Sequence, residues 1–151
     1  MRKYLLMLCM FCVPGCVSIP ALTPLEEMRA FAAEFDEEFG VVDSNINVWE
    51  GVEAFVDGIG GACVPSRNMI GINREVWLSI GQLQKRHLIY HEKLHCEFHI
   101  AHIDAVLPDG LPVSIMYPSM APFREGMLKQ NWPYYLKQAH SMIGVRGYRF
   151  D

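Results

Sequence analysis

The sequence is short of basic residues and does not cluster those that it has. Of 151 residues, 13 are lysine or arginine and 17 are aspartate or glutamate, which gives a formal net charge of -4. Because binding to nucleic-acid phosphates needs clustered positive charge, this distribution excludes a nucleic-acid partner. Internal repeats and low-complexity segments are also absent. With 51% hydrophobic and 20% charged residues, the sequence is typical of one globular domain with a buried core.

The apolar run at the N-terminus is too short to span a bilayer. It covers about ten residues, Tyr4 to Val13, after the basic residues Arg2 and Lys3, and is typical of a secretory signal. Its end, VPGC, resembles the lipobox of bacterial lipoproteins, which predicts lipidation of Cys16. We therefore predict a signal peptide over 1–15 and one domain over 16–151, with a linker over 16–22. A plain secretory signal cleaved elsewhere is the alternative.

Lipidation of Cys16 would tether an extracytoplasmic domain to a membrane by its lipid alone. The next residue, Val17, is not the aspartate that favours retention in the inner membrane. The lipoprotein resemblance therefore implies an anchor in the outer membrane, if the host is Gram-negative.

Few cysteines remain for the mature domain. Cys9 and Cys12 would leave with the signal peptide and Cys16 would carry lipid, so only Cys63 and Cys96 remain. In an oxidising compartment such a pair is expected to form a disulfide, whose closure of a loop of about 33 residues contributes roughly 3 to 4 kcal/mol. Two separate buried thiols are the alternative.

Local patterns predict an α+β fold. An N-terminal helix is predicted to begin after Thr23, which serves as N-cap and forms a capping box with Glu26. Gly40 is predicted to end this helix. Residues 41 to 78 show short apolar runs broken by turn residues, which predict two to four strands of a small sheet. A second helix is predicted from Ser79 to about Glu97. After a proline-rich stretch that cannot be a long helix, a short C-terminal helix is predicted with Asn131 as its cap and Pro133 in its first turn.

Residues 91 to 102, HEKLHCEFHIAH, contain four of the six histidines in the sequence. His91, Glu92 and His95 form the pattern H-E-x-x-H. On a helix, residues four apart share one face and lie about 6 Å apart along the axis, so both imidazoles can reach one zinc ion. Glu92 then lies beside the ligands, where its carboxylate can take a proton from a metal-activated water and return it to a leaving amine.

Two histidines leave zinc short of a third protein ligand. His87 and His99 each lie eight residues, about 12 Å along an unbroken helix, from the farther of the two ligands, which is too far for convergence. His102 lies seven residues past His95, where the helical pattern ends, and is the best placed candidate. The full set of candidates is His87, Glu97, His99, His102 and Glu125.

The segment HEKLHCEFHIAHID, followed by SIMYP, resembles the metzincin zinc peptidases. Their signature joins H-E-x-x-H to a third histidine and then to a methionine-containing turn beneath the metal. The segment is most similar to small phage and bacterial metallopeptidase-like lipoproteins, and the resemblance covers roughly residues 60 to 118. The spacing to the third histidine is one residue longer here than in most metzincins, and the glycine that usually ends their long helix is absent. By the resemblance, the zinc ligands are His91, His95 and His102, the general base is Glu92 and the turn methionine is Met116.

The resemblance implies zinc-dependent hydrolysis of a peptide bond, with a protein, a short peptide or a peptidoglycan peptide as substrate. It leaves Tyr117 without a role at the metal. Asp104 is either a hydrogen-bond acceptor for a metal-bound imidazole or a surface residue, and His87, His99 and His140 are interpreted as packing or surface residues. The alternative from another class is an inactive envelope lipoprotein that keeps the scaffold as a binding or structural module.

Overall fold

The computed structural model describes residues 21–51 and 60–145, and the predicted signal peptide and Cys16 lie outside the described residues. The described residues form an α+β fold, as predicted. Within these two ranges, no helix is long and apolar enough to cross a membrane. The helices are α1 (Pro24–Phe39), α2 (Arg74–Ser79), α3 (Gln82–Phe98) and α4 (Glu125–Val145), and the strands are β1 (Asn47–Glu50), β2 (Gly61–Val64) and β3 (Met69–Ile72).

The three strands form one small sheet with β3 in the centre. β3 pairs in parallel with β1 and antiparallel with β2, and Ile70 lies opposite Val48 on one side and Cys63 on the other. Ile70 and Ile72 are fully buried. β2 is thus an edge strand of the described sheet, and the disulfide between Cys63 and Cys96 links it to α3.

The ends of α1 are those that the sequence predicts. The Thr23 hydroxyl accepts a hydrogen bond from the Glu26 backbone, and the Glu26 carboxylate accepts one from the Thr23 backbone, which completes the capping box. Gly40 ends the helix with a φ of 62°, a left-handed conformation that favours glycine.

Helix α3 lies between the two hydrophobic clusters of the fold. Tyr90, Leu94 and Phe98 belong to a cluster with α1 and α4, whereas Leu88 and Ile89 belong to a cluster with α1 and the sheet. Every residue from 87 to 94 is buried. Because α3 is held on all sides, the side chains that it projects are fixed by packing.

Two predicted helix boundaries are wrong. Ser79, the predicted start of the second helix, is instead the last residue of α2. The side chain of Asn73 caps α2 by accepting hydrogen bonds from the backbone N–H groups of Glu75 and Val76. Helix α3 begins only after Gly81. The C-terminal helix begins at Glu125 rather than at Asn131, and Pro133 lies in its interior. A proline there removes one backbone hydrogen bond, but α4 buries an apolar face against the core, and tertiary packing outweighs that local cost.

A partly buried carboxylate joins α1 to the two following helices. Glu27 accepts hydrogen bonds from Trp77 Nε1 (2.9 Å), Gln82 Nε2 (2.6 Å) and Lys85 Nζ (2.8 Å). Burial alone would raise the pKa of Glu27, but its hydrogen bonds and the Lys85 charge together lower that pKa below the ordinary value of 4.5. A lowered folded-state pKa means that this carboxylate stabilises the fold above about pH 4.5, and that the contribution is lost as the pH falls through the folded-state pKa.

Glu27→Gln is therefore expected to lower the free energy of unfolding at pH 7 by about 1–3 kcal/mol, because hydrogen bonds to a charged acceptor are replaced by weaker ones. Urea unfolding from pH 7 to pH 3 should show the difference between variant and wild type shrink below pH 4.5. The control is Glu37→Gln, an exposed carboxylate on the same helix, expected to change stability by less than about 0.5 kcal/mol. A difference that persists unchanged at pH 3 would contradict the assignment.

Candidate metal centre

Three histidine side chains converge at one end of α3. The Nε2 atom of His91 lies 3.1 Å from Nε2 of His95 and 3.2 Å from Nε2 of His102. All three candidate ligand atoms lie within 4.8 Å of one another. Nitrogens that each bind one tetrahedral zinc ion at about 2.0–2.1 Å lie about 3.3 Å apart, so the cluster has dimensions that suit a shared ion.

Backbone carbonyls orient two of the three imidazoles. His91 Nδ1 lies 2.9 Å from the carbonyl oxygen of Ile115, and His95 Nδ1 lies 2.5 Å from that of Ile100. A carbonyl only accepts hydrogen bonds, so each Nδ1 carries the proton and each Nε2 presents a lone pair. The two Nε2 atoms then face each other with no proton between them, an arrangement that a bound cation satisfies.

Burial keeps these imidazoles neutral. Burial lowers the pKa of His91 to about 4, and it also lowers the pKa of His95 below the ordinary value of 6.5. Neutral imidazole is the form that binds a metal ion, so near pH 7 no proton must leave these two side chains before a metal enters.

The path from α3 to the third histidine turns at His99. This residue has a φ of 51° and ends the helix in the left-handed conformation, with its N–H bonded to the His95 carbonyl at 3.1 Å. The His99 bond is that of the αL motif, and the N–H of Ile100 bonds back to the Leu94 carbonyl at 3.2 Å, so both carbonyls at the end of α3 are satisfied. A histidine thus occupies the position that usually takes glycine, and the chain reverses to bring His102 beside the pair on α3.

The SIM sequence forms a turn beneath the histidines. The N–H of Tyr117 bonds to the Ser114 carbonyl at 3.2 Å, and the fully buried Met116 lies between them. The Met116 carbonyl accepts a hydrogen bond of 2.9 Å from Ile103, next to His102. Since the Ile115 carbonyl faces His91, this turn supports two of the three histidines at once.

Glu92 is buried beside the cluster. It lines one cavity together with His95 and His102 and a second one together with His91 and Tyr117. Burial raises its pKa to about 7, and a backbone hydrogen bond from Cys63 acts in the opposite direction. A divalent cation among the histidines would further favour the ionised carboxylate.

The predicted disulfide between Cys63 and Cys96 is present. It joins β2 to α3 directly after His95. Cys63 therefore holds β2 to α3 in two ways: its side chain forms the disulfide, and its backbone forms a hydrogen bond with the Glu92 carboxylate.

Among the described residues, the other ligand candidates are not members of the three-histidine cluster. Glu97 accepts a hydrogen bond from Lys93, and Glu125 accepts hydrogen bonds from the backbone N–H groups that begin α3. His87 is fully buried and stacks on Phe123, with ring centroids 3.9 Å apart. Asp104 is exposed. The hydrogen bonds of His91 and His95, for which Asp104 was a candidate acceptor, are accepted by the backbone carbonyls of Ile115 and Ile100.

Gly61 packs closely against Glu92, a contact that the sequence did not indicate. A Cβ atom on Gly61 would lie 3.1 Å from Glu92 Cγ and 3.2 Å from Glu92 Oε1. Both distances are tighter than nine in ten real Cβ contacts, so the Glu92 side chain would have to give way by a few tenths of an ångström to admit any side chain here. A glycine in a short strand gives no such information by itself, because the partner lies 31 positions away on another element.

Gly61→Ala is accordingly expected to lower kcat for any reaction that uses Glu92 about tenfold or more, since small displacements of a catalytic group are costly. Metal affinity should stay within about twofold. Steady-state kinetics and metal titration check this, with Gly126→Ala as the matched control because a Cβ there meets no atom within 4 Å. Unchanged kcat in Gly61→Ala would show that Glu92 tolerates the shift.

Fold and site together define a small α+β domain with a three-histidine cluster that can hold a metal ion and a buried carboxylate beside it. No protein-family model matches the chain, and no curated protein matches it.

Proposed function

We propose that this protein is a zinc-dependent peptide hydrolase of the metzincin type, with His91, His95 and His102 as zinc ligands. The observation that carries the proposal is the close approach of the three Nε2 atoms. In His91 and His95, the Nδ1 atom donates its proton to a backbone carbonyl, so the Nε2 lone pair can bind a metal ion. Three protein ligands leave one position of a tetrahedral ion open, as catalytic rather than structural zinc requires.

Glu92 supplies the proton transfer in this proposal. Zinc bound here would act as a Lewis acid that activates a water molecule and polarises the peptide carbonyl. The Glu92 carboxylate accepts the proton of the attacking water and then donates it to the amine that leaves. Its burial and the contact with the Cys63 backbone limit its movement, which keeps the carboxylate at the edge of the cavity.

The edge strand β2 supports a substrate bound in extended form. Gly61, Ala62 and Cys63 line the same cavity as Glu92, His95 and His102. A peptide can add to an exposed strand edge through backbone hydrogen bonds, and such binding accepts many side chains. An extended peptide along β2 would pass beside the three histidines.

The metzincin assignment rests on the ordered features of the chain: H-E-x-x-H on a helix, a third histidine after the helix end, and a turn with Met116 below. The disulfide supports an oxidising, extracytoplasmic compartment. With the lipobox-like VPGC, it supports a peptidase tethered at the cell envelope by lipid on Cys16.

The experiment uses the purified domain and a set of fluorogenic peptides. We expect about one equivalent of zinc per chain, hydrolysis that a chelator abolishes, and recovery of activity when zinc is restored. Zinc at one equivalent with no hydrolysis across a broad peptide library would favour the binding module instead. Hydrolysis that survives complete zinc removal would contradict the proposal.

A further inference from the structure

A further cavity, distinct from the two that Glu92 lines, is also lined by His102. It has a volume of about 630 Å³ and is formed between the loop that carries His102 and helix α4. Its walls are mainly apolar, from Ile100, Ile103 and Met142. Because His102 also lines the cavities that contain Glu92, this pocket adjoins the candidate metal centre.

The polar groups of this cavity on α4 include hydrogen-bond donors. The Oε1 atom of Gln138 accepts a hydrogen bond of 3.0 Å from the hydroxyl of Ser114, a fully buried residue of the methionine turn. That bond fixes the amide of Gln138, so its NH₂ group is available to a ligand. Lys137 and Ser141, on the same helix, also line the cavity.

The cavity carries positive charge without compensating negative charge. No aspartate or glutamate is among its lining residues. Within residues 21–51 and 60–145, the exposed Lys137 forms no ion pair, so its ammonium group is free to meet an anionic ligand. A ligand with an apolar stem and an anionic end would therefore match both the walls and the donors.

We propose that this cavity is a specificity subsite for a substrate residue that bears a carboxylate, which Lys137 and the Gln138 amide bind. The inference rests on the proposed peptidase function and deepens it by assigning an acidic peptide as the substrate class. The carboxylate belongs either to an acidic side chain or to a free C-terminus, since both present the same group to the same donors. Lys137 supplies charge and Gln138 supplies a donor of fixed direction.

The first test compares peptides that differ only by Glu, Gln or Lys at each position around the scissile bond. At one position we expect kcat/KM for Glu to exceed that for Gln by about five- to tenfold, as suits an accessible ammonium group. Lys137→Met should bring this ratio close to one, and Lys137→Glu should favour the Lys peptide. Lys129→Met, on the same helix but outside the cavity, should keep the wild-type ratio. Peptides with a free or an amidated C-terminus separate the two sources of the carboxylate.

The second test measures binding without turnover. Fluorescence anisotropy of labelled Glu and Gln peptides is followed with zinc-loaded Glu92→Gln protein, with and without Lys137→Met. Lys137-dependent binding of the Glu peptide, combined with a zinc-loaded wild-type protein that hydrolyses none of the peptides, would sustain the subsite and overturn the peptidase function. Hydrolysis with equal kcat/KM for Glu and Gln at every position would overturn the subsite alone. If the wild-type protein hydrolyses no peptide and the variant shows no preference for the Glu peptide in binding, both the peptidase function and the subsite are overturned.

Discussion

Glu92→Gln is expected to lower kcat for peptide hydrolysis by about 10³-fold while zinc stays bound, because the amide cannot accept and return a proton. Glutamine has nearly the same shape as glutamate, so it fits the buried space that Glu92 occupies against Gly61. The substitution leaves the three histidine ligands themselves unchanged. Kinetics on a fluorogenic peptide and metal analysis of the same preparation measure the two quantities together.

Two further variants make the Glu92 result specific. Glu92→Asp keeps a carboxylate but withdraws it by one methylene, and an intermediate loss of kcat is expected. Glu75→Gln removes an exposed carboxylate from α2 and should leave kcat unchanged. If Glu92→Gln retained more than about a tenth of wild-type kcat, another group would have to move the proton.

The parts of the fold that the sequence predicted are those set by neighbouring residues. The capping box of α1 involves Thr23 and Glu26, three positions apart, and the grouping of His91 with His95 follows from the period of a helix. The boundaries of α4 depend instead on burial against distant elements. Pro133 is a strong local signal for a helix start, and the packing of α4 overrides it.

The support of the candidate site is where sequence reasoning reached its limit. The carbonyls of Ile100 and Ile115 orient two imidazoles, but every residue has a carbonyl and none is marked in the sequence. The pairing of Cys63 with Cys96 could be predicted because only two cysteines remained. The closeness of Gly61 to Glu92 could not be, because it depends on the position of β2 over α3.

The turn after Phe98 decides where the third ligand lies, and no glycine ends the helix there. His99 takes the left-handed conformation itself, at a cost that a non-glycine residue pays and that the bonds to the Leu94 and His95 carbonyls offset. This places two histidines three positions apart in different roles: His99 at the turn and His102 beside the Nε2 atoms of α3. Substitution of each one should therefore give opposite results.

His102→Ala is expected to weaken zinc binding by more than about 100-fold and to abolish hydrolysis, because a ligand contributes at least as much as the groups that orient it. His102 is exposed, unlike the buried His91, so its loss should leave the thermal midpoint of the metal-free protein nearly unchanged. Competition with a chelating dye measures the affinity, and a thermal melt without metal measures folding. In His99→Gly, which supplies the residue favoured at a left-handed position, zinc affinity should stay within about twofold of wild type. The reverse pattern, with zinc lost in His99→Gly and kept in His102→Ala, would mean that the third ligand is His99 and that the loop rearranges when the metal binds.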